Sequence, residues 1–79
     1  MFIYPNPASD ILNIAIKTDE KSETMIQILN SLGQVVYNKP VSLNIGENSI
    51  KLDVDDLKNG IYFVRTDIND KIITNKFVK

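Results

Sequence analysis

Apolar residues in this chain recur with a period of two, in short runs separated by turn residues, and that pattern restricts it to strands. Ile50, Leu52 and Val54 alternate with Lys51 and Asp53, the clearest half-buried strand in the sequence. Leu12, Ile14 and Ile16 alternate with Asn13 and Ala15, and Ile26 and Ile28 with Met25, Gln27 and Leu29. Tyr62 and Val64 share one face of a further strand, and Ile61, Phe63 and Arg65 share the other. A strand apolar on both faces belongs inside a sheet rather than at its edge. In the last segment Ile72, Thr74, Lys76 and Val78 oppose Ile73, Asn75 and Phe77, and the pattern leaves open which set faces inward.

The interruptions carry turn chemistry. Asp19–Glu23 is a charged loop without an apolar residue. Ser31-Leu32-Gly33-Gln34 reads as a tight hairpin in which Gly33 supplies a positive φ. Pro40 cannot donate to a ladder, so Asn38-Lys39-Pro40 is expected to end the strand of Val35–Tyr37. Asn44–Asn48 is a turn, and Ile68–Lys71 holds the last hairpin. Asp55–Gly60 has room for one helical turn ended by Gly60. No segment carries a helix of about 10 residues or more. About seven short strands at near-regular spacing predict an all-β fold, an immunoglobulin-like antiparallel β-sandwich. Residues 1–9 are expected to be an extended lead-in, because Pro5 and Pro7 restrict the backbone, and residues 10–79 the sandwich domain.

With 79 residues there is room for one small domain, and an apolar share of 43% fits a packed chain. There is no cysteine, which removes disulfides, thiolate metal sites and thiol nucleophiles. There is no histidine, so the commonest general base and zinc ligand are missing. The net charge of −1 comes from interspersed acids and bases, unlike the basic face that nucleic acid requires. No apolar run approaches the roughly 20 residues of a membrane helix. Met1-Phe2-Ile3 is too short and uncharged for a secretory signal, so an exported form would be a fragment of a larger precursor.

The serines have no histidine to activate them, and no glycine-rich phosphate loop exists. Asp53, Asp55 and Asp56 could in principle hold calcium, but their spacing lacks the glycine and distal glutamate of a calcium loop. A solvated turn is the simpler reading. No catalytic, cofactor or metal site is expected, and the chain is read as a non-enzyme.

Three segments carry more information together than apart. Tyr4-Pro5-Asn6-Pro7-Ala8-Ser9-Asp10 precedes the first clear strand. Asn30-Ser31-Leu32-Gly33-Gln34-Val35-Val36-Tyr37 forms the middle hairpin. Leu57-Lys58-Asn59-Gly60-Ile61-Tyr62-Phe63-Val64-Arg65 precedes a last strand finishing Lys76-Phe77-Val78-Lys79. In this order and spacing, over Tyr4 to Lys79, the chain resembles the C-terminal sorting domain (type A) of cargo proteins of the type IX secretion system of Bacteroidetes.

The resemblance implies a domain that directs an attached N-terminal cargo through the outer-membrane translocon, after the general secretory route has delivered it to the periplasm. It implies an outer-membrane shuttle protein and a sortase as partners, with no cofactor. It implies a secreted or cell-surface location and cleavage before or near Met1–Tyr4. Carried onto this chain, the recognition residues would be Gly60, Ile61, Tyr62, Lys76, Phe77, Val78 and Lys79. Lysines at the last strand also serve simply to guard an edge against aggregation. The rival readings are an adhesion or carbohydrate-binding module, which would need an exposed aromatic platform, and a structural spacer domain.

Overall fold

The computed structural model describes Met1–Lys79 and contains seven strands and no helix. They are β1 (Phe2–Tyr4), β2 (Ile11–Thr18), β3 (Ser22–Asn30), β4 (Val35–Leu43), β5 (Gly46–Asp53), β6 (Ile61–Ile68) and β7 (Lys71–Val78). A three-stranded sheet has the order β1-β2-β5, and a four-stranded sheet the order β4-β3-β6-β7. Every pairing is antiparallel. The all-β sandwich of seven strands is therefore as the periodicity requires. β6 lies between β3 and β7, as a strand apolar on both faces should.

The two inner faces meet in a core of 13 buried residues. Leu12, Ile14, Ile16, Leu52 and Val54 come from the three-stranded side, and Ile26, Ile28, Tyr62, Val64 and Phe77 from the other. Removing each such side chain from water contributes about 1.5–3 kcal/mol, which has to offset the ordering of a chain with no covalent cross-link. Phe77 settles the face of β7: it is 0% exposed, and Ile73 packs against the same core. The inward set is thus Ile73, Asn75 and Phe77. Two buried threonines sit beside the core with satisfied hydroxyls. Thr66 donates to the Met25 carbonyl at 3.2 Å, and Thr18 to the Glu20 carbonyl at 3.2 Å.

The turns follow from local chemistry. Gly33 has φ 81° and Gly46 φ 99°, where an L side chain is strained. Asn69 and Asp70 have φ 52° and 63°, the two successive positive values of a type I′ hairpin, and these residue types tolerate them best after glycine. Asn30 organises the middle hairpin: its Oδ1 accepts the amides of Leu32 and Gln34, both at 3.0 Å.

Three expectations are corrected. Pro40 does not end its strand, for β4 continues to Leu43 with Pro40 opposite Met25. β4 is an edge strand with a neighbour on one side only, so a missing amide there is tolerated. Residues Asp55–Gly60 contain no helical turn. A single β-turn, closed by the Leu57 amide on the Val54 carbonyl at 3.0 Å, leads into irregular backbone, and Gly60 is not in a positive-φ conformation. Pro5–Pro7 bends instead of running straight, with Tyr4–Pro5 and Asn6–Pro7 both cis. Its path is fixed by hydrogen bonds to β7, and Phe2–Tyr4 before it pairs with β2.

Candidate functional site

The chain's two ends meet at one end of the sandwich. β6 begins there and β7 finishes there, so the seven expected recognition residues form a single cluster. Pairing of Ile61 with Val78 and of Tyr62 with Phe77 sets the register. The ladder extends one residue further, because the amides of Gly60 and Lys79 donate to each other's carbonyls, both at 2.9 Å. Position 60 does not demand glycine for room: an added Cβ would meet only Tyr62 Cε2, at 3.9 Å.

Strand alternation divides the cluster into an inner and an outer set. Tyr62 and Phe77 point inward and stack, with centroids 5.5 Å apart and planes 21° apart. The Tyr62 hydroxyl donates to the Lys58 carbonyl at 2.6 Å, which meets the need of a buried phenol for a partner. Ile61, Lys76 and Val78 point to solvent on the outer face, and Ile61 is 48% exposed.

Lys79 belongs to neither set. Its ammonium donates to the carbonyls of Asp55 (3.0 Å), Leu57 (2.6 Å) and Val54, all from the turn that precedes β6. A lysine with three donors suits three converging carbonyls, of which that of Val54 also receives the Leu57 amide. Its chemistry here is to fasten the end of β7 to that turn.

The lead-in closes the outer edge of β7 at the same level. Asn6 Oδ1 accepts the Val78 amide at 3.0 Å, and the Ala8 amide donates to the Val78 carbonyl at 2.7 Å. Asn75 Nδ2 reaches the Met1 carbonyl at 2.9 Å. Two motifs 70 residues apart thus make one structure. Asn6 thereby caps the last strand. The available signal was a carboxamide between two prolines, a residue held rigidly with a free acceptor.

A carboxylate pair lies beneath the Lys79 turn. The Asp10 carbonyl accepts the Val54 amide at 2.8 Å, which brings the Asp10 side chain beside Asp55. The Asp55 carboxyl is held above its ordinary value, first by a hydrogen bond with Asp10 and then by that residue's negative charge. Asp53 adds to the shift, and Lys79 opposes it. Asp53 Oδ1 itself accepts the Asp55 amide at 3.0 Å, so this carboxylate shapes the turn.

The aromatic residues divide evenly among surface, half-buried and core positions. Phe2 and Tyr4 form an exposed tilted pair, 5.6 Å between centroids, on the short edge strand β1. Tyr37 and Phe63 are half-buried, and Tyr62 and Phe77 are core.

The chain matches the family model described as a secretion system C-terminal sorting domain over residues 2–79. It is also similar to an ulvan lyase, NLR42, from Nonlabens ulvanivorans, at 33% identity over 78 residues. That alignment covers 96% of this chain and 14% of the lyase, so the likeness concerns a small part of a much larger protein. A match that takes in the lead-in, the middle hairpin and the final strand together places the chain in this family: it belongs to the C-terminal sorting domains of type IX secretion and is the sorting tail of an exported protein.

Proposed function

We propose that the domain acts as a folded address read at the outer membrane by a shuttle protein, and that a sortase then removes it from the cargo. The single observation that supports this is the clamp between the lead-in and the last strand. The segment through which cargo would be attached is hydrogen-bonded, at Asn6 and Ala8, to the strand that carries Lys76 and Val78. The cargo-proximal segment and the exposed motif residues are therefore held at one end of one rigid body. Strands and not loops carry them, so their geometry survives attachment of different cargoes.

The cleavage point falls ahead of Phe2. Phe2–Tyr4 lies in a sheet ladder with β2, and Asn13 Nδ2 ties down the Tyr4 carbonyl at 3.3 Å. A protease needs backbone it can extract, and paired strand resists extraction. The test is the intact mass of an exported reporter carrying this domain behind its natural linker. Export with loss of the whole domain, in a sortase-competent strain only, is expected. A reporter that retains residues 1–79 in the medium of that strain would refute sortase removal, and a cut within residues 4–10 would refute the assigned position.

A further inference from the structure

Antiparallel sandwiches ordinarily turn polar side chains outward on both sheets. The three-stranded sheet does so along β5, with Glu47, Ser49, Lys51 and Asp53, and at Asn13 and Lys17 of β2; its exposed apolar residues are Ile11 at one corner and Phe2 and Tyr4 on the rim strand. The four-stranded sheet does not. One row across all four of its strands reads Val35, Leu29, Phe63, Lys76. Ile61 and Val78 pair beside that row, and both are exposed. Val36 is exposed as well.

This apolar band lies at the end of the sandwich where the chain ends meet. Cations border it. Lys76 stands within the band, and Arg65 in the next row donates to Gln27 Oε1, at 3.1 Å from Nε. That acceptor is neutral, so the guanidinium is oriented without being neutralised. Of the acids on the same outer face, Glu23 lies toward the opposite end, and Asp67 follows Arg65 along β6. A groove of about 490 Å³ opens beside Arg65, walled by Met25, Gln27, Asp67 and Ile72.

Building on the sorting reading, we propose that this face of the four-stranded sheet is the docking surface, and that its occupant is a protein presenting an apolar surface with carboxylates set opposite Lys76 and Arg65. A contiguous apolar patch with a cationic border marks a contact surface, and its charge selects the partner's sign. Side chains make the contact. Strand addition at Val78 is prevented, since Asn6 and Ala8 already hold its amide and carbonyl. Most of the family-motif residues become intelligible on this basis: Ile61, Lys76 and Val78 face the partner, while Tyr62, Phe77 and Lys79 hold them in place.

The test uses a secreted reporter fused ahead of the full chain, in translocon-competent and translocon-deficient strains. Lys76→Glu and Arg65→Glu are expected to lower export by about tenfold or more, as charge reversals in a contact do. Ile61→Ser should act in the same direction. Lys76→Arg should export normally, as should Lys51→Glu on the opposite sheet. Thermal melts of the purified variants establish that each is folded. Folded Lys76→Glu, Arg65→Glu and Ile61→Ser variants that export like wild type would overturn the docking face while leaving sorting intact. Wild-type reporter trapped in the periplasm of both strains would overturn the sorting reading and this one with it. Light scattering supplies the remaining arm: a wild-type dimer that Ile61→Ser disperses would assign the face to a second copy of this chain instead.

Discussion

The ammonium of Lys79 donates to three carbonyls of one turn, so a substitution there tests folding before it tests recognition. Lys79→Ala should cost about 2 kcal/mol, the worth of charged hydrogen bonds whose acceptors lose their partner. Denaturant unfolding measures this, and an unchanged midpoint would remove the clamp from the account. The carboxyl of Asp55 makes a second prediction. Its value is raised in the folded state, so the stability it contributes is fully present below the ordinary carboxylate range. That contribution is lost as the pH rises through the raised value. Asp10→Asn removes both the hydrogen-bonding carboxyl and the like charge that cause the shift. It should therefore raise the melting temperature at pH 7 and give no gain at pH 3. Equal effects at the two pH values would mean that the pair is not coupled. Neither residue's role was legible beforehand. Lys79 was expected among the recognition residues or as an edge guard, because its acceptors come from a turn 22 to 25 positions away whose course only the fold determines.

Element by element, legibility followed the strength of alternation. β2 and β5 could be assigned with their inward faces because large aliphatic residues alternate with polar or small ones, and β6 could be placed centrally because both of its faces are apolar. β7 could not. Ile72 and Ile73 are both apolar, Asn75 and Lys76 both polar, and the tie is broken by the stacking of Phe77 on Tyr62. β4 was shortened in prospect because Pro40 stops a strand that has neighbours on both sides, and its position at the edge is a property of the whole sheet. The lead-in was the least legible element, since its partner is at the other end of the chain. Asn6→Ala leaves the Val78 amide without its acceptor and opens the edge of β7. The expected cost is about 1 kcal/mol. Hydrogen exchange should quicken at the Val78 amide, and unchanged protection there would show that Asn6 is not the cap.

For the molecule as a whole, sorting and stability share the same residues. A chain of 79 residues without disulfides has a small margin, and the last strand supplies a fully buried phenylalanine to its core. Deleting Thr74–Lys79 removes Phe77 and five of the eight residue pairs between β7 and β6. Truncating a buried phenylalanine alone costs about 3–5 kcal/mol. The deletion should therefore unfold the domain, seen as loss of the strand signal in circular dichroism, and its failure to export would say nothing about recognition. A folded truncation would contradict this. The asymmetry between the outer faces was half visible in the sequence. Ile61 and Phe63 on the second face of β6 already exceed what a central position needs, but their alignment with Leu29, Lys76 and Val78 exists only across strands distant in sequence.

The central claim is that residues 1–79 are sufficient to address an attached protein. The measurement is export of a fluorescent reporter, carrying a secretory signal in front and this chain behind, compared between type IX-competent and translocon-deficient bacteria. Reporter outside the cell in the competent strain alone is the predicted result. Reporter held in the periplasm of both strains, with the domain shown to be folded, would contradict it.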